Sequence, residues 1–365
     1  MMKIKKKIVI ATGGTGGHVF PAFSLYQHFE ENNFIVNIIT DKRGFNFFKK
    51  SSNLKIKIIN SDTIFKKNPI QLIIALIKII IGITSSFFFL LKLKPDIIFG
   101  MGGYSSFPVC MAAKIMNIPF VLYENNLIIG KANKYLLPLS HKILVSNSDL
   151  KGVNENLRDK IFEVGNLIRK EMLNYSHKQP KLIDNRIKIL ILGGSQAAKF
   201  FAEKIPEIII FCKKKNILID IYQQCLPNQN EYLEEIYRSN KINFKLFNFS
   251  HNILEYFDKI NLVITRSGSS ILAELINCNI PFISIPLPSS ADNHQFKNAK
   301  YFEKKGYNFT IEEKEISIKL FPLIKSILED KSLLSRIINK QKKHSDKLVF
   351  DKINNSIKEL IYEKN

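Results

Sequence analysis

A histidine placed directly after a run of glycines is the first feature that could do chemistry. Gly13-Gly14-Thr15-Gly16-Gly17-His18 follows a short apolar run, and glycines let backbone come close to a ligand. A helix beginning there offers N–H groups and its positive dipole end to an anion. Imidazole titrates near neutrality, so His18 is suited to take a proton from a hydroxyl; otherwise it is an ordinary helix-start residue. Gly100-Met101-Gly102-Gly103-Tyr104-Ser105-Ser106 adds a second glycine-lined turn, and Gly193-Gly194-Ser195-Gln196 a third, with a hydroxyl for a phosphate. A fourth, Arg266-Ser267-Gly268-Ser269-Ser270, precedes Glu274 by one helical turn. That places Glu274 on the same side as Ser270, where a carboxylate can accept both hydroxyls of a ribose. The same residues also read as a capping-box helix start. Asp292-Asn293-His294-Gln295 and Asn298 carry side chains suited to sugar hydroxyls.

A dinucleotide reading is weaker. Counted as G-x-G-x-x-G from Gly14, the third glycine is replaced by Val19, although Asp41 stands about where a ribose contact belongs. For a metal, the sequence offers no Asp-x-Asp and no His/Asp cluster.

The elements that position these groups alternate in the manner of parallel α/β sheets. Strands are expected at 7–12, 34–40, 96–99, 119–123, 142–146 and 161–164, with a helix over 20–31. After a polar stretch at 174–184, which reads as a linker, the pattern restarts. Strands are expected there at 188–192, 217–222, 261–265 and 281–285. Two similar halves imply two doubly wound domains presenting strand C-terminal ends to a shared cleft. A length of 365 residues accommodates two or three domains.

The net charge of +22 does not mark a nucleic-acid binder. Only seven of the 54 basic residues are arginine and the lysines are scattered, whereas nucleic-acid binders cluster them on one face. So basic a chain is still drawn to anionic membranes and diphosphates. Cys110, Cys212, Cys225 and Cys278 show no metal-ligand spacing, which fits reduced, buried thiols. The apolar run at 8–11 is too short for a signal-peptide core. Residues 70–91, IQLIIALIKIIIGITSSFFFLL, have about the length of a membrane span. Lys78 at its centre and the polar trio Thr84, Ser85 and Ser86 favour a helix packed on the sheet with an exposed apolar face. A wholly buried helix and a true span are the alternatives. Lys66, Lys67, Lys92 and Lys94 flank the segment, and Phe87, Phe88 and Phe89 are read alike as lipid-facing.

Seven segments in order carry a resemblance: GGTGGHVFPA (13–22), GMGGYSSFP (100–108), ENN (124–126), GNLIR (165–169), GGSQ (193–196), RSGSSILAE (266–274) and DNHQFKNA (292–299). Together, over about residues 7–310, they resemble the MurG family, bacterial transferases that add N-acetylglucosamine to the lipid-linked muramyl-pentapeptide precursor of peptidoglycan. The resemblance implies a GT-B fold, two Rossmann-like doubly wound parallel-sheet domains. It implies an acceptor and membrane-associating domain at 1–164, a UDP-N-acetylglucosamine domain at 165–345, and a C-terminal helix within 346–365 packing back on the first. Donor contacts are implied at Thr15, Gly16, Gly17, Asn126, Arg169, Ser195, Ser250, Ser269, Ser270, Ile271, Leu272, Ala273, Glu274 and Gln295. Gly103, Tyr104 and Glu124 fall on the acceptor side. The chain departs from the family at Tyr123 and Asn125 (His and Gln in the family's His-Glu-Gln-Asn), Leu167 (Pro), Ala197 (Gly) and His294 (Gln).

The implied partners are UDP-N-acetylglucosamine, undecaprenyl-pyrophosphoryl-MurNAc-pentapeptide and an anionic membrane surface. The implied location is peripheral, on the cytoplasmic face of the bacterial inner membrane, with no cofactor and no nucleic acid. The expected reaction is an inverting transfer with His18 as base. A UDP-sugar 2-epimerase on the same double fold, or a non-catalytic nucleotide-binding protein, are the rival classes. A soluble epimerase has no use for the apolar segment, and a non-catalytic protein no use for His18.

Overall fold

In a computed structural model the chain divides into two compact units, Met1–Lys170 with Asp346–Asn365, and Glu171–Ser345. The structure describes residues 5–14, 16–49, 54–63, 68–175, 185–248, 250 and 252–362, with no side-chain description at 194–198. Most of the stretch read as a linker, 176–184, therefore lies outside the described residues.

The first unit is built on seven parallel strands: β1 (Lys7–Ala11), β2 (Ile35–Thr40), β3 (Ile56–Ile58), β4 (Ile97–Gly100), β5 (Phe120–Glu124), β6 (Lys142–Val145) and β7 (Ile161–Glu163). Their order is β3-β2-β1-β4-β5-β6-β7. Strand order therefore reverses between β1 and β4, where Ala11 pairs with Gly100. This pairing puts the first two glycine turns side by side at the carboxyl ends, the position where doubly wound sheets bind ligands. Central strands such as β1 and β4 are buried along almost their whole length, which explains why they read as unbroken apolar runs.

Helix α1 (Gly16–Glu31) follows the first turn, α2 (Lys42–Phe48) follows β2, and α4 (Ser106–Ile115) follows β4. Helix α3 (Pro69–Leu93) links β3 to β4. Asn68 caps it, accepting from Ile70 N at 2.9 Å, and Pro69 pre-sets the first turn. It ends where Lys94 turns left-handed at φ 50°, followed by Pro95. The C-terminal helix, Val349–Tyr362, belongs to this unit. Its Phe350 stacks on His28 of α1 with ring centroids 4.5 Å apart. Burial between these elements lowers the proton affinity of His28 below its usual value.

The second unit has six parallel strands: β8 (Arg186–Leu192), β9 (Leu218–Gln224), β10 (Asn243–Phe247), β11 (Leu262–Thr265), β12 (Phe282–Ser284) and β13 (Phe309–Thr310). Their order, β10-β9-β8-β11-β12-β13, repeats the arrangement of the first unit. Here the reversal lies between β8 and β11, where Thr265 pairs with Leu192. Helix α5 (Gly194–Lys214) starts at the third turn, α6 (Ser269–Asn277) at the fourth, and α7 (His294–Lys304) after the Pro-rich loop. All four cysteines are buried free thiols.

Candidate active site

In the first unit, His18 is the third residue of α1, not a residue ahead of it. Its half-buried imidazole lies against the second glycine turn. A Cβ on Gly102 would come within 2.9 Å of His18 Cε1 and Nδ1. One on Gly103 would come within 2.8 Å of the Gly13 carbonyl oxygen. Both glycines hold positive φ, 82° and 76°, so backbone conformation demands glycine at both positions, and the histidine ring does so again at 102. Tyr104 is half-buried beside them. Ser105 Oγ donates to the Thr12 carbonyl at 2.8 Å, tying the two turns together.

Asp41 does not stand ready for a ribose. It is 6% exposed and caps α2, its Oδ1 accepting from Gly44 N at 2.7 Å and Gly14 N at 3.1 Å. Its other oxygen accepts from Arg43 at 3.1 Å. The carboxylate is consumed in shaping the first glycine turn, which removes the dinucleotide reading.

Glu124, at the end of β5, is 1% exposed. Its Oε1 accepts from Asn126 N and Nδ2 at 3.1 and 3.0 Å. Its Oε2 accepts from Gly130 N at 2.8 Å and Asn133 Nδ2 at 3.0 Å. Four donors keep a buried carboxylate satisfied and make it the organiser of the turn that carries Asn126. Neither Asn133 nor Asp41 stands out as a positioning residue in the sequence.

Two of the departures account for each other. Tyr123 is fully buried; its hydroxyl accepts from Leu167 N at 2.8 Å and donates to the Gly165 carbonyl at 3.2 Å. Proline at 167 has no N–H to offer, so leucine there and tyrosine at 123 form one joint. Asp346 holds the same segment, accepting from Asn166 N at 2.9 Å and Nδ2 at 3.1 Å. Half-buried Arg169 follows it. Tyr123→Phe is expected to cost about 1–3 kcal/mol, because a buried N–H loses its acceptor. Denaturant unfolding measures this, and a midpoint equal to wild type would contradict it.

In the second unit, the cap residue of α6 is Gly268, which has no side chain with which to cap. The capping-box reading is thereby overturned, and no N-cap side chain occupies the first turn of the helix, where N–H groups have no intrahelical acceptor. Ser269 and Glu274 are buried while Ser270 and Ile271 are half-buried. Leu272 and Ala273 are fully buried in the core, so only their backbone is available to a ligand. Gln295 Oε1 accepts from Ser267 N at 3.2 Å and Leu287 N at 3.0 Å. Its Nε2 is uncommitted among the described residues. Asn298, one turn on, donates to the Ser267 carbonyl at 3.4 Å. His294 turns back onto the Ala291 carbonyl, 2.8 Å from Nδ1.

Arg266 is a bolt rather than an anion ligand. It donates to Glu313 Oε2 at 2.7 Å and lies over the Phe200 and Phe201 rings of α5 at 5.0 and 4.9 Å. Burial holds its proton affinity below the usual value, with Glu313 opposing that shift.

Gly16, Gly17 and His18 thus share one turn, with Gly102, Gly103 and Asn126 on neighbouring strand ends. Ser269–Glu274 and Gln295 come together in the other unit. Thr15 and the Ser195 side chain lie outside the described residues, as do Phe249 and His251 on either side of half-buried Ser250.

Two doubly wound parallel-sheet units, each with glycine turns and a helix N-terminus at its switch point, define the GT-B fold class. The chain belongs to glycosyltransferase family 28: residues 8–145 match its N-terminal domain and residues 188–354 its C-terminal domain. It is 37% identical, over 92% of its own length and 89% of the relative's, to the "UDP-N-acetylglucosamine--N-acetylmuramyl-(pentapeptide) pyrophosphoryl-undecaprenol N-acetylglucosamine transferase" of Pelagibacter ubique. Among solved structures, MurG of Acinetobacter baumannii superposes with a TM-score of 0.76 at 22% identity, covering 97% of this chain and 99% of that one. A UDP-N-acetylglucosamine 2-epimerase shares the fold at a TM-score of 0.62 and 12% identity, over 99% of this chain and 98% of that one. The fold alone leaves the chemistry open, and the family membership makes it a transferase.

Proposed function

We propose that this chain transfers N-acetylglucosamine from UDP-N-acetylglucosamine to the 4-hydroxyl of undecaprenyl-pyrophosphoryl-MurNAc-pentapeptide, converting lipid I to lipid II. The 37% identity to the Pelagibacter transferase across nearly both whole chains is the observation that carries this reading. In the proposed mechanism His18 takes the proton of the acceptor hydroxyl as its oxygen attacks the anomeric carbon. Attack comes from the face opposite UDP, so the configuration inverts. The bond to the diphosphate oxygen breaks as the new glycosidic bond forms. Charge gathers on the leaving diphosphate, where helix N-terminal N–H groups stabilise it without reorganising.

Donor recognition is assigned to Ser269–Glu274, with Glu274 on the ribose and Gln295 Nε2 on the sugar, supported by Thr15, Gly16, Gly17, Asn126, Arg169, Ser195 and Ser250. Gly103 and Tyr104 serve the acceptor side, and Glu124 serves it through the turn that it organises. The enzyme acts at the cytoplasmic face of the bacterial inner membrane, bound peripherally through α3.

An assay with UDP-N-acetylglucosamine and a short-chain lipid-linked muramyl-pentapeptide tests the reaction; absence of the disaccharide product would overturn it. Glu274→Ala is expected to weaken UDP binding by about 1.5–3 kcal/mol, since a charged acceptor is lost. A loss confined to acceptor affinity would move the donor site elsewhere.

A further inference from the structure

We propose that Asn125 is a positioning residue for His18, acting through the Gly17 carbonyl. The inference rests on His18 being the base. Pro21 lies inside α1 and has no N–H to give the carbonyl four residues back, while its ring crowds that carbonyl. The carbonyl in question is that of Gly17, the residue directly before His18. Asn125 Nδ2 donates to it at 2.9 Å, across 108 residues of sequence.

The orientation of the Asn125 amide is set by its neighbours. Asn126 Nδ2 donates both to Asn125 Oδ1 at 3.2 Å and to Glu124 Oε1 at 3.0 Å. The oxygen of Asn125 therefore faces Asn126, and its NH₂ faces α1. Ser146 Oγ donates to the Asn125 carbonyl at 3.1 Å, fixing the backbone behind it. Asn125 itself is 7% exposed. On the next carbonyl along α1, that of His18, Thr12 Oγ1 donates at 3.0 Å. The peptide units on both sides of the His18 Cα are thus held by side chains from the ends of β1 and β5, the strands on either side of β4. The imidazole has little room to err, because it lies against Gly102.

Removing the Asn125 amide leaves the Gly17 carbonyl pressed by a proline ring without that donor, and the first turn of α1 relaxes. Asn125→Ala is expected to lower kcat on the order of 10–100-fold, the scale of a small misplacement in an active site. KM for UDP-N-acetylglucosamine should change less than kcat does. Asn125→Asp, of the same size but without a donor at neutral pH, should lose as much.

Pro21→Ala restores a backbone N–H to the Gly17 carbonyl. Alone it should leave kcat near wild type; combined with Asn125→Ala it should recover most of the loss. In a His18→Ala background, Asn125→Ala should cost nothing more. Wild-type kcat in Asn125→Ala, a loss that Pro21→Ala does not relieve, or an undiminished further loss on top of an impaired His18→Ala enzyme would each overturn the positioning role. Full activity of His18→Ala would instead retire the base assignment on which the role rests.

Discussion

Replacing His18 by alanine is expected to lower turnover by ~10²–10⁴-fold, the usual worth of a positioned general base, while UDP binding stays nearly intact. The split follows from where the ring sits. It lies against the Gly102–Gly103 turn, at the end of the first unit's sheet, whereas the ribose contact proposed for Glu274 lies on α6 of the second unit. An interaction made only in the transition state lowers kcat and kcat/KM together. Single-turnover kinetics beside a UDP titration measures both quantities. Unchanged turnover would end the base assignment, and a matching loss of UDP affinity would make His18 a donor ligand.

Much of the fold is legible in the sequence because central parallel strands are buried on both faces. Runs such as Ile8–Ala11, Ile97–Phe99 and Leu262–Ile264 are apolar without interruption, and glycine turns punctuate them. The strands that escape notice are β3, β10 and β13. They are two to five residues long and contain lysine or asparagine, or are too brief for any period to appear. All three lie at sheet edges, where one side has no neighbour to demand apolar residues.

The site is legible in a different sense. Residues that meet in one turn, such as Gly17 and His18, announce themselves. Residues that hold them from elsewhere do not. Asp41 serves the first glycine turn from the start of α2, and Asn125 serves it from the end of β5. Nothing local distinguishes an aspartate that caps a helix from one that awaits a ribose; only the filled hydrogen bonds of Asp41 do. The exchange of His for Tyr123 and of Pro for Leu167 looks in sequence like two independent departures. In three dimensions a hydroxyl and the N–H that proline lacks make them one change.

The second large effect is expected at the membrane. Helix α3 buries only a narrow stripe of mostly small residues: Ala75, Gly82, Ser86 and Leu90. A Cβ on Gly82 would lie 2.4 Å from the Asn60 carbonyl oxygen, so the helix rests tightly on its own unit there. Much of the remaining surface is open, with Ile73, Ile77, Ile80 and Phe88 between 52 and 64% exposed. That excludes the wholly buried helix and leaves an apolar face unlike an ordinary soluble surface. Phe87 and Phe89 divide from Phe88: they pack against the core and serve the fold.

Lys78, the residue that argues against a span, pairs with Asp62 at 3.1 Å. At mid-bilayer it would cost about 2.5–3.5 kcal/mol on insertion scales. Both ends of α3 also join strands of one sheet, β3 and β4, which a crossing would pull to opposite sides of a bilayer. Lys92 and Lys94 lie at its C-terminal end, and each basic residue near an anionic surface adds about 1 kcal/mol. Lys66 and Lys67, at the other end, lie outside the described residues.

Burying an exposed isoleucine or phenylalanine is worth about 1.5–3 kcal/mol when complete, and a helix lying in the headgroup region achieves part of that. Replacing Ile73, Ile77 and Phe88 together by serine is therefore expected to weaken binding to anionic vesicles by on the order of 10²–10³-fold. UDP binding in solution should be untouched, since no donor contact involves α3. Raising the salt concentration should release the wild-type protein in part, through the lysines. Vesicle sedimentation measures each of these. A triple variant that sediments like wild type would remove α3 from the docking surface. Release from native membranes by detergent alone, never by salt or alkali, would mean that the helix spans.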